Sequence, residues 1–334
     1  MTREERVVKR FSEWSPVKWF LTVGLLLSAA TAHAQYPNKP IRLLVPFAPG
    51  GSSEIVSRAF GAELSKVLGQ NVIVENKPGG AGNIAMVEAK GAGADGYTLI
   101  LGHVGTLAVN PAMFAKLPYD PVKDFMPISM LAKVPSLLVV NAQAVSAKNL
   151  KEYVALAKSK PGAVNYGSAG NGSSGHLAMA YLNQVAGLET QHVPYKGTGP
   201  MLADLLAGRL EATFTGAPPL IPHVKAGTLR AIAIGTAQRS KALPDVPTVA
   251  EQGFAGFETS QWYGLMAPAG TPEAIIKKLA DAVATAAKAP GVAERLAAEA
   301  AEPSPSSPKE FADFIASEKK RWGEVVKKAN IKAD

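Results

Sequence analysis

From residue 41 onward, short apolar runs alternate with segments of helical period, and few architectures accept that order. "IRLLVPF" precedes "SEIVSRAFGAELSKVLG", in which Val56, Phe60, Leu64, Val67 and Leu68 fall on one helical face. Gly69 ends that helix, and "NVIVEN" and "GYTLILG" follow as strands. "PISMLAKVPSLLVVN" reads as two strands or as one long crossing segment, and "NLKEYVALAKSKPG" as a helix stopped by Pro161-Gly162. The strands "VNYGS", "QHVPY", "LEATFT" and "LRAIAIGT" are separated by the helices "HLAMAYLNQVAG", "PMLADLLAG" and "PLIPHVKAG". Each of these helices closes on a glycine, as a left-handed C-cap requires. "WYGLMAP" is a last strand. Helices starting at Thr271-Pro272 and at Ser307-Pro308-Lys309-Glu310 finish the chain, the second with Pro at N1 and Glu at N3. Strands of four to seven residues between helices imply an α/β chain with mainly parallel sheets.

The first 34 residues stand apart. A segment with five basic and three acidic residues precedes the apolar run "WFLTVGLLLSAATA" and Ala32-His33-Ala34. A basic start, a short apolar run and an A-x-A site make a secretory signal peptide cleaved before Gln35. The run is shorter than the ~20 residues a membrane span needs. No paired arginines of the twin-arginine type are present, which favours the general export route. The 300 residues from Gln35 onward suffice for two lobes of ~100–150 residues each. No low-complexity linker joins them, so the chain is expected to cross between lobes twice, near Pro135 and near Gly256. That gives residues 35–136 plus 256–334 as lobe 1 and 137–255 as lobe 2.

Removing the leader leaves 30 basic and 24 acidic residues, scattered along the chain. Nucleic acid is therefore not an expected partner, whereas a small anion is favoured. The chain has no cysteine, which excludes disulfides, thiolate catalysis and cysteine-ligated metals.

Two strand–loop–helix joints carry the chemistry. One is "VPFAPGGSSEIVSR", with Gly50, Gly51, Ser52 and Ser53 before a helix; the other is "VNYGSAGNGSSGHL". Glycines let a ligand approach the backbone, and serines cap helices and offer hydroxyls. The free N–H groups at a helix start, with the dipole behind them, form an anion site without a charged side chain. Ordinary βα turns are the plainer alternative. Gly170, Gly172 and Gly175 also match a dinucleotide fingerprint, but Glu189 begins the next strand where an acidic residue should end it. "GSSG" at 172–175 is one residue short of a nucleophile elbow. His103, His176, His192 and His223 lie scattered, with no zinc or general-base spacing. Phe47, Tyr195 and Trp262 sit near strand ends as pocket walls or core residues, and Lys196 as a ligand contact or a solvated lysine.

"YPNKPIRLLVPFAPGGSSEIVSR", "VIVENKPGGAGN", "DGYTLILG", "NPAMFAKLPYDPVKDFMPIS", "VPYKGTGPMLADLLAG", "ALPDVPTVAEQG" and "GLMAPAGTP", together with "VNYGSAGNGSSGHL", come in a characteristic order. Over essentially the whole exported chain this resembles the tripartite tricarboxylate transporter substrate-binding receptors, also called the Bug family. The resemblance implies a two-lobed, type II-like periplasmic binding protein fold with two crossovers, closing like a Venus flytrap. It implies no catalysis, no cofactor and no metal. It also implies a monomer that delivers a small organic carboxylate, such as a di- or tricarboxylate or an aromatic acid, to a two-subunit membrane permease. Carried over by motif, Phe47, Gly50, Gly51, Ser52 and Ser53 form one wall. Ser168, Gly170, Gly172, Ser173, Ser174 and His176 form the other. Two departures stand out. Glu54 replaces a frequent Asp, with little expected effect. Thr215 and Gly216 stand where many members have Asp-Asn, at the far end of the ligand. Family members that bind amino acids pair the cation with an acidic side chain there, so this chain is expected to refuse them, with Gly216 and Ala217 making room for a larger far end. An exported serine hydrolase or esterase using the 168–174 loop, and a ligand sensor feeding a membrane kinase, remain the other readings.

Overall fold

The computed structural model describes residues 36–298, 300–328 and 331, so the leader lies outside the described residues. Lys39–Asp334 form one compact unit, and all elements below belong to it. β1 (Ile41–Val45) pairs in parallel with β2 (Val72–Asn76) and with β3 (Thr98–His103). Every residue of β3 is buried, which explains its apolar run Leu99-Ile100-Leu101: both faces of the strand are covered. Between β1 and β2 runs α1 (Ser52–Leu68), which buries Val56, Phe60 and Leu64. Val67, at the end of the same face, is exposed.

Several short elements have no sequence counterpart above. α2 (Asn83–Lys90) opens from a glycine run and buries Met86 and Ala89. A π-turn over Gly105–Val109 and α3 (Asn110–Met113) follow β3. Each has eight residues or fewer, below the length at which periodicity speaks.

β4 (Phe125–Asn141) resolves the ambiguous crossing segment as a single strand of 17 residues. Its first part pairs with β9 (Ser260–Pro268), and its last part with β7 (Ala212–Gly216) and β8 (Leu229–Ile234), all antiparallel. The strand order is β2-β1-β3-β9-β4-β7-β5-β6, where β5 is Asn165–Ser168 and β6 is Gln191–Pro194. β5 pairs in parallel with β6 and β7. Parallel pairs thus form the outer part of each lobe, and antiparallel pairs gather on β4 and β9, which run against their neighbours as they carry the chain between lobes.

The second lobe adds α4 (Leu150–Ser159), α5 (Ser174–Ala186), α6 (Thr198–Leu206) and α7 (Ile221–Lys225). The glycines after α5, α6 and α7 have the expected positive φ, +61° at Gly187 and +73° at both Gly208 and Gly227. The "LLVV" run of β4 divides by alternation. Leu137 and Val139 pack with Met201, Leu205 and Ile234, while Leu138 and Val140 pack with Tyr153, Tyr166 and Phe214.

The chain ends in α8 (Glu273–Ala286), α9 (Pro290–Ala298), β10 (Glu302–Pro303) and α10 (Pro308–Lys328). Ser307 and Glu310 form the expected reciprocal cap on α10: Ser307 N–H donates to Glu310 at 2.8 Å, and Glu310 N–H to Ser307 Oγ at 3.2 Å. α10 closes the first lobe's core, where Glu318 accepts from the indoles of Trp262 and Trp322 at 2.8 and 3.0 Å. Trp262 is therefore a core residue and not a pocket wall.

Candidate ligand-binding site

Three helices start at one place. α1 begins after Gly50-Gly51, α5 after Ser173 and α6 after Gly197. Ser52, Ser53, Ser173, Ser174 and Thr198 line one narrow cavity, which Phe47, His103, Ala169, Thr215, Gln261 and Tyr263 complete. Its volume is about 10 Å³, room for about one water, so a larger group enters only as the loops part. No side chain caps α1 or α6, which leaves first-turn N–H groups to a ligand. Ser173 caps α5 by accepting from His176 N–H at 3.4 Å. Among the described residues no charged side chain lines this cavity. Its positive field comes from the helix ends, each equivalent to roughly half a charge, and three ends aimed at one point make an anion site.

Glycine permits this convergence. A Cβ on Gly199 would stand 2.2 Å from the carbonyl oxygen of Pro49. Across the same seam Ala48 N–H donates to Lys196 O at 3.2 Å. A Cβ on Gly216 would stand 2.3 Å from Ser52 Oγ, so β7 can end against the start of α1 only without a side chain. Glu54 shapes the first loop from outside, accepting from Gly50 N–H and from Arg58, each at 2.7 Å. Burial opposes its charge, but these two donors still hold the carboxyl below its ordinary range.

The expected residues divide by role. Phe47, Ser52, Ser53, Ser173, Ser174 and Thr215 line the cavity. Gly50, Gly51, Ser168, Gly170, Gly172, His176 and Gly216 are not among its lining residues. Ser168 Oγ lies 2.6 Å from His192 Nε2 and accepts from Gly170 N–H at 3.1 Å. Gly172 N–H donates to His176 Nδ1 at 3.2 Å, and the rings of His176 and His192 stack at 4.0 Å. Gly172 has φ +70°, and a Cβ there would stand 2.5 Å from Met113. Its bareness accommodates the opposite lobe.

Thr215 lines the inner cavity, and Gly216 lies next to Ser52, because β7 ends against the start of α1. Added bulk at Gly216 would strike Ser52 and Gln261. A second cavity of about 560 Å³ lies outward, lined by Phe47, residues 79–82, Phe114, residues 169–171, Pro194, Tyr195, Lys196 and Pro200. It shares Phe47 and Ala169 with the inner one, and Lys196 is its one charged lining residue among those described.

Sequence reasoning passed over Thr198, Gln261, Tyr263 and the position of His103. "PYKGTGP" does carry the same strand–glycine–hydroxyl–helix signature as the two chosen loops. His103 ends β3, where open α/β sheets place ligands. Gln261 and Tyr263 flank Trp262 and so share the opposite face of β9. The Tyr263 hydroxyl donates to Gln261 Oε1, and Gln261 Nε2 donates to Thr215 Oγ1 at 3.3 Å. The Thr215 proton is thereby left for the cavity.

A model of the tripartite tricarboxylate transporter family receptor matches residues 56–331. The chain belongs to this family. Protein BugT of Bordetella pertussis is 36% identical over 307 residues, covering 92% of this chain and 94% of BugT. Rpa4515 of R. palustris, solved with adipate, is 36% identical with a TM-score of 0.86, covering 89% of this chain and 99% of that one. MatC of Rhodopseudomonas palustris, solved with malate, is 36% identical with a TM-score of 0.83, covering 87% and 100%. The resemblance read from the motifs is borne out, as is the two-lobed binding-protein fold. Family members are solute-binding receptors rather than enzymes. In this receptor Ser168 is fully buried and lines neither cavity, so its contact with His192 is a tie between β5 and β6 and not an accessible nucleophile with its base.

Proposed function

We propose that this receptor captures a small organic carboxylate in the periplasm and delivers it, as a monomer, to a two-subunit membrane permease. The observation that carries the reading is the convergence of three helix N-termini and six serine and threonine hydroxyls on a cavity that, among the described residues, has no charged lining residue. A single carboxylate fits that donor set. At ~1.5–3 kcal/mol per bond to a charged group, three or four such bonds support the ~8 kcal/mol of micromolar binding. Relatives solved with adipate and with malate support the ligand class. The leader implies cleavage after Ala34, which N-terminal sequencing of exported protein tests.

The rest of the ligand extends past Phe47 and Ala169 into the outer cavity. Phe114 and Tyr195 offer it apolar contact and Lys196 a cation. Among the described residues neither cavity offers a carboxylate to an ammonium group, and a buried unpaired ammonium costs several kcal/mol. The pocket therefore prefers a far end that is neutral, aromatic or a second carboxylate. A thermal-shift screen of adipate, malate, benzoate, aspartate and glutamate tests this. Stabilisation by one of the first three is expected. Stabilisation by the amino acids alone would refute the far-end argument, and turnover of chromogenic esters would refute the receptor reading.

A further inference from the structure

We propose that His103, at the C-terminal end of β3, binds the ligand directly, donating a hydrogen bond from Nε2–H to a carboxylate oxygen in the inner cavity. The proposal rests on the carboxylate reading above and adds a contact that neither Gly-rich loop supplies.

The tautomer follows from one bond. Thr106 N–H donates to His103 Nδ1 at 3.0 Å. A backbone N–H can only donate, so Nδ1 accepts and carries no proton. The proton of a neutral ring must then sit on Nε2. The ring is 4% exposed, and burial pulls its pKa from 6.5 down to about 4, so it is neutral near pH 7. Nε2 is buried and has no partner among the described residues. Buried donors are nearly always paired, and an orphan calls for an explanation by a bound group. His103 lines the inner cavity together with Ser52, Ser53 and Ser173. With its Nδ1 edge tied to Thr106, the free edge of the ring is the one carrying the unpaired proton.

The ring is also held still. Phe47 stacks on it at 4.5 Å with 28° between the planes. A Cβ on Gly105 would stand 2.4 Å from its Cε1, so only glycine allows the loop to close on that edge. His103 N–H donates to Thr106 Oγ1 at 3.2 Å, which fixes the turn that places the ring. A donor fixed beforehand loses little freedom when the ligand arrives. It also selects. Nε2–H offers a proton and accepts none, so an oxygen anion satisfies it, and a ligand N–H at the same point leaves two donors facing each other. Specificity for the anion is thus built into β3, independently of the absence of an acidic residue at Thr215.

The test uses His103→Phe, which keeps the stack on Phe47 and removes the donor, and His103→Gln, whose side-chain N–H restores one near the same place. Adipate and malate are the probes, measured by calorimetry. The Phe variant should bind the better probe roughly 10–100-fold more weakly, and the Gln variant should recover most of that loss. In parallel, nitrogen NMR of histidine-labelled wild type should show one ring protonated on Nε2 alone from pH 8 to 5.5, with that resonance moving when the probe is added. Unchanged affinity in the Phe variant, a proton on Nδ1, or a resonance indifferent to a bound probe would overturn the assignment. If the Phe variant does not fold, the Gln variant and the NMR arm still decide. If neither probe binds wild type, the carboxylate reading falls and this assignment with it. If a probe binds and the Phe variant binds it equally, only the role of His103 falls.

Discussion

Gly199→Ala tests whether the two lobes must touch for the site to bind. Gly199 lies in the first turn of α6, and an added Cβ would stand 2.2 Å from Pro49 O. Ordinary contact begins near 3.4 Å, so the seam must open by about an ångström. That shift takes the Ala48–Lys196 hydrogen bond, at 3.2 Å, out of range. Overpacking of this kind costs ~1–3 kcal/mol, and the lost bond ~0.5–1.5 kcal/mol. The closed form should lose ~1.5–4.5 kcal/mol, which is at least about a 10-fold loss of affinity. The open form should not suffer. Alanine in a helix gains roughly 0.5–1 kcal/mol over glycine, so the melting temperature without ligand should hold or rise slightly. Calorimetry with the better of adipate and malate gives the affinity, and scattering gives the change in radius on binding. Gly93→Ala is the control, since its Cβ meets nothing nearer than 3.8 Å. Undiminished affinity in Gly199→Ala, with a normal contraction on binding, would refute the argument that backbone contact at this seam closes the site.

Acid should weaken the fold through His103. Its pKa is 6.5 when unfolded and about 4 when folded. Between those values the unfolded chain binds the extra proton, so stability falls as the pH drops from 6.5 to 4. The full loss is about 3 kcal/mol. Urea unfolding at pH 7 and pH 4.5 should show wild type losing more stability than His103→Gln by most of that amount, and equal losses would show that the ring does not titrate as argued. Glu318→Ala should cost ~2–4 kcal/mol, because it strands two buried indole N–H groups. A loss below half a kilocalorie in the same assay would mean that water replaces the carboxylate.

The fold was legible because burial writes itself into composition. The middle of β3 and the second half of β4 are covered on both faces, so Leu99-Ile100-Leu101 and Leu137-Leu138-Val139-Val140 are continuously apolar. The helices between them end in glycines that the left-handed cap requires. That residues of the two Gly-rich loops line one cavity was legible for a related reason: glycine and serine ahead of a helix leave donors in the open. What stayed hidden depends on pairings far apart in sequence. Thr215 seemed distal until the end of β7 was found beside the start of α1, more than 160 residues earlier in the chain. Gly172 appeared to make room for a ligand, but Met113 fills that space. His103, Gln261 and Tyr263 become cavity residues only once β3 and β9 are paired, through His103↔Tyr263 in the register itself.

A cavity of helix ends and hydroxyls without a charged side chain suits a receptor that must let go. An arginine would bind a carboxylate more strongly, but a buried cation left unpaired on release costs several kcal/mol. Backbone N–H groups and hydroxyls carry no net charge, and water satisfies them as soon as the lobes part. The neutral His103 obeys the same logic, offering a proton without holding a charge. On the proposed reading, affinity comes from the number of donors and from the seam that assembles them, not from any single strong contact. Opening the seam removes several of these donors at once. Removing one donor should therefore weaken binding by a limited factor, and Gly199→Ala, which removes no donor, should weaken it by a comparable one.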